Sequence, residues 1–497
     1  MGNKPLIGIR KAGAIVCLFL LLGFSSAVKA DNVWTFDPEL QKIHKLVMNL
    51  QTETAYKALE KIKTNEFHKM YVLSFCETLD ILISEDEERF QKIEANFKER
   101  LKYLANQKAS PDALFLQAEL NLQRGFNFLN LGQEFNAVWA IKSAYNLTQE
   151  CLKKYPDFIP IKKTSGVIEV MIGSVPDKYH FFMSLLGMKG SVATGQEQLQ
   201  ELRESQSSLN IEANLLYYTI KGLINQQIEE ATKGFMDVLK SDPDNKVVLF
   251  LAVNMLMKNS QSEEALRLIH TLDENPEGLP MFYIEYLRGE ILLQKGDYSN
   301  AVLSYQKFIG SYKSQNFKKD SYYKISLAYY LQGRGDLAKT NFEKARVTGR
   351  DVADPDHHAD AQLKEGVFPN AKILRVRLLT DGGYYKEAKE TFASIIPSDL
   401  KTKKEQVEYY YRRARLAHKT NDIGAAKIFY QQTIDMSGDS QWYFAPNSAL
   451  QLGYIAQASH DYPAAKRYFE MALAYKKHEY KNSIDGKAKS ALEQLRS

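Results

Sequence analysis

Proline is scarce, only 14 in 497 residues, which argues against the short strands and frequent turns of an all-β chain. Cysteine is scarcer still at three, none at a zinc-type spacing. A Gly-x-Ser-x-Gly stretch, the mark of a strained hydrolase elbow, does not occur. Gly187, Gly190 and Gly195 lack the Lys-Ser/Thr of a phosphate-cradling loop and follow no strand pattern, so they read as turn residues. The nine histidines are dispersed, each more typical of a packed or surface side chain than of a catalyst. These absences point away from an enzyme, and no cofactor or metal set is expected.

What is present is a folding composition. Apolar residues make up 44% and charged residues 25%, an ordinary globular balance. Leu, Ala, Lys, Glu and Gln recur in every segment, which favours long helices. The length exceeds one compact core and suits two or three domains or one solenoid.

The first thirty residues read as a targeting segment. Lys4, Arg10 and Lys11 form a positive start, 14–24 is an apolar run of signal-peptide length, and Val28 and Ala30 occupy the positions a signal peptidase inspects. Cleavage is expected after Ala30, with a mature start at Asp31 and an uncleaved anchor as the alternative. Cys17 follows Val16 where a lipobox has a small residue, so lipid attachment is not expected. Losing the four leader cations takes the net charge from +5 to +1. A near-neutral chain without a Lys/Arg block has no electrostatic footprint for nucleic acid or anionic lipid. Cys76 and Cys151 remain, either paired in an oxidising compartment or separately buried as thiols.

A period near 34 residues is the sign of stacked helix pairs. The clearest unit contains Tyr286, Gly289, Leu292, Gly296-Asp297-Tyr298, Ala301, Tyr305 and Phe308. A small residue marks the first helix crossing, a Gly-Asp-aromatic turn follows, and Ala marks the second crossing. The second-helix Ala recurs at 231, 265, 301, 338, 388, 426 and 465, at spacings of 34, 36, 37, 50, 38 and 39. The long step holds an insertion, 347–368, with Asp354-Pro355-Asp356-His357-His358 and Asp360. It reads as a solvated loop whose Asp residues begin the next helix, with a divalent-cation site as the alternative.

Upstream, apolar residues at helical spacing place helices over 40–62, 69–83 and 90–104, with a pair over 113–129 and 136–155. The expected organisation is a leader at 1–30, an N-terminal helical region at 31–160, an apolar helical hairpin at 161–206 and about seven repeats at 207–497.

These repeats resemble the tetratricopeptide family, which implies an all-α superhelix. A more distant resemblance, to the eukaryotic inclusion-body clearance family of tetratricopeptide proteins, rests on 184–199 and on Ala445-Pro446, Leu450, Leu452-Gly453-Tyr454, Ala464, Tyr468 and Tyr480. That family's terminal acidic-basic pair is replaced here by Ile484-Asp485-Gly486-Lys487. In tetratricopeptide proteins the first helix of each pair lines a groove. Carried onto this chain, the inward positions are Phe250, Met257, Tyr283, Tyr286, Tyr323, Tyr330, Ile373, Arg377, Tyr411, Arg415, His418 and Tyr454. The Lys and Asn pattern of a carboxylate clamp is absent. An aromatic groove with Arg suits a protein, peptide or glycan ligand, although the same rings could pack between repeats. The expectation is an exported, periplasmic or secreted scaffold for protein or peptide partners, without nucleic acid. Membrane association is compatible with it but not required, and the oligomeric state is left open. Peptide or glycan capture is the alternative, and an enzyme with a dispersed site is the third reading.

Overall fold

Asp37, Asn65, Asp86 and Ser110 each turn a side-chain oxygen onto the free backbone N–H groups of the helix that follows, which fixes the start of four N-terminal helices. The computed structural model describes residues 32–175, 183–350 and 353–495. The expected leader and its cleavage site lie outside these residues, as do Phe181 and Phe182 of the apolar connector. Among the described residues no strand occurs, and no helix is long and apolar enough to cross a membrane.

The helices in chain order begin with α1 (Pro38–Met48), α2 (Thr52–Lys61), α3 (Glu66–Ser84), α4 (Glu87–Ala105) and α5 (Pro111–Asn130). Next come α6 (Glu134–Lys154), α7 (Ile161–Gly173), α8 (Val192–Glu204), α9 (Asn210–Leu223), α10 (Ile228–Ser241), α11 (Lys246–Lys258) and α12 (Ser262–Glu274). The remainder are α13 (Tyr283–Lys295), α14 (Tyr298–Ser311), α15 (Lys318–Leu331), α16 (Gly335–Val347), α17 (Asp354–Glu365) and α18 (Ala371–Gly382). After α19 (Tyr385–Ala393) follow α20 (Lys403–Lys419), α21 (Ile423–Ser437), α22 (Phe444–Ala458), α23 (Tyr462–Ala474) and α24 (Lys481–Gln494).

The chain divides into two compact units. Unit 1 runs to Met255 and adds Arg267–Tyr283 and Tyr312–Ser314, and unit 2 comprises Leu256–Leu266, Ile284–Ser311 and Gln315–Ser497. The division falls inside the repeat run, not ahead of it.

In unit 1, α5 packs between α4 and α6, and α7 crosses α8. Gly166 and Gly195 make that crossing so close that a Cβ on Gly195 would fall 2.4 Å from the Gly166 carbonyl oxygen. Gly195 is therefore a helix-crossing residue, not the turn residue expected; Gly187 (φ +67°) does sit in a turn. The expected helix over 40–62 is broken in two, because Leu50 adopts φ +58° and buries its side chain. Its carbonyl then accepts the Leu279 N–H at 2.8 Å. Cys76 and Cys151 are separate buried thiols.

In unit 2 the pairs α15–α16, α18–α19, α20–α21 and α22–α23 stack, and their first helices touch in sequence as α18, α20 and α22. All seven marker alanines, one of them (Ala231) in unit 1, are 0% exposed. The Asp residues of the insertion do begin a helix, as expected, but that helix lies inside the insertion and packs, so the segment is not a solvated loop. It carries α17, with Pro355 in its first turn and Gly366 at its C-cap (φ +73°), and buries Ala359 and Leu363 against Tyr323 and Phe342. Asp356 reaches back to accept the backbone N–H groups of Phe317 (2.6 Å) and Asp320 (2.9 Å), capping α15.

Gly383 ends α18 at φ +89°, where a Cβ would lie 2.0 Å from the Ser260 carbonyl oxygen. Gly383→Ala meets both the left-handed penalty and a backbone clash, and is expected to cost about 2–3 kcal/mol in denaturant unfolding. A loss below about 1 kcal/mol would mean that the turn shifts freely and that the close approach is not needed.

Candidate functional site

Helix α20 reads Tyr411-Arg412-Arg413-Ala414-Arg415, and helical spacing puts Arg412 and Arg415 on one face while Arg413 points away. Arg412 is buried, donating to Glu408 at 2.6 Å and to the Tyr443 hydroxyl at 2.8 Å. Arg415 donates to Gln451 at 3.1 Å. On α18, Arg377 is exposed and lies 3.8 Å from Asp381. The Arg412 charge acts on Arg377, and the charges of Lys258 and Arg415 both act on Lys487 of α24. Tyr480 closes the group, its ring 4.2 Å from His358 and 4.9 Å from Tyr443, centroid to centroid.

Burial, with the positive charges of Lys258 and Arg415, pushes Lys487 down to about 8. Lys258 is also lowered by burial, against the pull of Asp354. Burial with Arg415 and Lys419 holds His418 down to about 4, so its imidazole is neutral at physiological pH and its Nδ1 lies 3.3 Å from the Tyr430 hydroxyl. The site can thus offer fixed guanidinium charge plus one ammonium that titrates close to neutrality.

The expected groove residues divide into two groups. Arg377, Tyr411 and Arg415 come together in unit 2. Tyr411 is buried, however, with its hydroxyl accepting from Asn447 at 2.7 Å. Tyr286 is only 3% exposed, packed by Tyr305, Phe308 and Phe317 and donating to Asp320 at 2.6 Å. Tyr323 is buried against Phe342, and Tyr330 stacks on Phe368 at 4.6 Å. Phe250 and Tyr283 pack on each other and belong to unit 1, whereas the arginines belong to unit 2. Tyr454 is half-buried against Phe469, its hydroxyl without a hydrogen-bond partner among the described residues. Most of these rings therefore serve packing, and the open chemistry belongs to the cations.

Arg412, Tyr443, Tyr480, Lys258 and Lys487 were not among the expected residues. Arg412 was legible, three positions before Arg415 on one helix face. The other four were not, because two are N-caps, one is the last residue of its helix and one lies on the final helix, none of them at an inward position of the repeat pattern. Among the described residues no group of three or more His, Cys, Asp or Glu is placed to hold a metal ion.

The tetratricopeptide-repeat family model matches residues 286–314 and 407–440, the second of which carries Arg412 and Arg415. The sequence matches no curated protein. Among solved structures the chain is similar to the human IFIT1 dimer with PPP-AAAA, at 14% identity over 96% of each chain and a TM-score of 0.32. It is also similar to the apo quorum sensor NprR from B. thuringiensis (14% identity, 80% of this chain and 98% of that one, TM-score 0.31). Yeast Tom70 is a third, at 15% identity over 91% of this chain and 82% of that one, with a TM-score of 0.23. At such scores the likeness carries no inference about partner or chemistry.

Proposed function

We propose that this chain is an exported tetratricopeptide-repeat scaffold whose unit 2 holds an acidic segment of a protein partner against Arg377, Arg412, Arg415, Lys258 and Lys487. The observation that carries it is the arginine cluster on adjacent first helices, with the positive charges of Lys258 and Arg415 acting on Lys487. Planar guanidinium forks suit carboxylates. Asp381 and Glu408 sit among the arginines, and they oppose a continuous phosphate backbone while leaving room for separate acidic side chains. Packed tyrosines also offer no open platform for bases. Export is supported by the leader pattern, and the resemblance of 184–199 to the inclusion-body clearance family supports the scaffold without adding a partner.

The test uses full-length protein expressed in its native host, whose intact mass is expected to begin at Asp31. A labelled deca-glutamate peptide should bind, and Arg377→Ala or Arg415→Ala should weaken it by about tenfold or more. Affinity should fall between pH 7 and 9 as Lys487, at about 8, loses its proton. Binding of a poly-uridine RNA in place of the peptide would overturn the acidic-segment reading, and a retained leader would overturn export.

The same lysine makes an independent prediction. With its pKa lowered from 10.5 to about 8, the folded chain binds fewer protons than the unfolded chain between those values. Lys487 therefore costs stability below that window, and the cost disappears as pH rises through it. Lys487→Met is expected to raise the melting temperature of unit 2 by about 2–4 °C at pH 7 while weakening the peptide. A lowered melting temperature would show that Lys487 is a structural residue.

A further inference from the structure

Unit 1 contains a cleft of about 540 Å³, a size typical of ligand sites. Helix α5 forms its floor through Asn121, Arg124 and Phe128, at spacings of three and four that keep them on one face. Helix α4 forms one wall with Phe90, Gln91 and Glu94, and the other is α6 with Asn136 and Trp139. Trp139 is 53% exposed, the open indole of the cleft.

The charges here are already matched. Arg124 grips Glu94 with two nitrogens, Nε to Oε2 at 2.9 Å and Nη2 to Oε1 at 2.5 Å, while Lys98 lies 3.4 Å from the same carboxylate. A free anion would have to displace Glu94, and an apolar ligand would seal the Arg124–Glu94 pair, and Asn121 which bonds Gln117 and Arg124, away from water. The neutral polar groups are the ones still available. Asn136 uses its NH2 on Gln133 at 3.0 Å, leaving its own carbonyl oxygen and the Gln133 NH2 for a ligand. Gln91 lies on the opposite wall. Carboxamides pair donors and acceptors as sugar hydroxyls do, and the C–H face of a pyranose ring stacks on an indole.

We propose that this cleft is a saccharide-binding site, in which Trp139 stacks on the ring face of a neutral sugar and Gln91, Gln133 and Asn136 bond its hydroxyls. It lies in a different unit from the arginine cluster and does not depend on the acidic-segment reading.

The test titrates the full chain with maltotetraose, cellotetraose, xylotetraose and chitotetraose, following heat and tryptophan emission. At least one should give a saturable heat together with a shift in emission. Trp139→Ala and the double variant Gln133→Ala with Asn136→Ala should each weaken it by about tenfold or more, with melting unchanged because these side chains are exposed. Arg415→Ala should bind the sugar as the parent does. No saturable heat with any of the four overturns the proposal, as does a sugar response that survives both cleft variants. Were Trp139→Ala to misfold, the double variant alone decides.

Discussion

Trp34→Ala is expected to cost unit 1 about 3–5 kcal/mol, read as a fall in its denaturant midpoint by circular dichroism. The indole is 1% exposed and touches rings from three places in the chain, with centroids 4.6 Å from Phe115, 6.0 Å from Phe158 and 6.2 Å from Tyr71. Its Nε1 donates to Asp112 at 2.7 Å. The backbone is tied as firmly. Ser208 N–H and the Ser207 hydroxyl both donate to the Trp34 carbonyl, and the Phe36 N–H donates to the Ser208 hydroxyl. Those anchors hold Trp34 at φ +59°, a conformation an L-residue adopts only when its surroundings impose it. Trp34→Phe keeps most of the ring volume and gives up the N–H, so it should lose about 1–2 kcal/mol. If Trp34→Ala unfolds at the parent midpoint, the segment is an ornament on a core that stands without it.

That strap shows where sequence reading reached its limit. The seven alanines were legible because their neighbours in space are near neighbours in sequence, so a fixed period records the packing. Trp34 meets Ser207 and Ser208 more than 170 positions away, and the short stretch ahead of α1 that carries it has no period to read. The tyrosines were ambiguous for a different reason. Positions that face the groove of a tetratricopeptide repeat also face the first helix of the next one, so Tyr286 and Tyr411 could be placed on the right face without their burial being known. Helix α17 was readable from Pro355 and Gly366, which mark its two ends, but the concentration of Asp and His drew attention to loop chemistry instead. The cleft of unit 1 needed three helices, α4 to α6, each of which reads alone as an ordinary amphipathic helix.

Lys163→Met should destabilise unit 1 by about 3–5 kcal/mol, and adding Glu119→Gln should return much of that loss. Lys163 and Glu119 are each 0% exposed and pair at 2.7 Å, with the ammonium also donating to the Tyr71 hydroxyl at 2.7 Å. Thr164 donates to the other carboxylate oxygen. A second buried pair adjoins it, His44 Nε2 lying 3.0 Å from Glu212, whose charge acts on both Lys163 and Glu119. Burial pushes the Glu119 carboxyl up, and the Lys163 ammonium with the Thr164 hydroxyl pulls it back. Taking away the ammonium leaves the upward push and the repulsion from Glu212, so Glu119 in Lys163→Met should hold a proton well above its unfolded value. A group with a raised folded pKa contributes stability that is fully present below the unfolded pKa and is lost as pH rises through the folded one. Lys163→Met should therefore be more stable at pH 5 than at pH 8, while the double variant, with no carboxylate to titrate at 119, should lose that contribution to the pH dependence. A double-mutant cycle measures the coupling directly. Equal losses in the single and double variants, with no pH dependence in either, would show that the pair contributes nothing beyond the volume it fills.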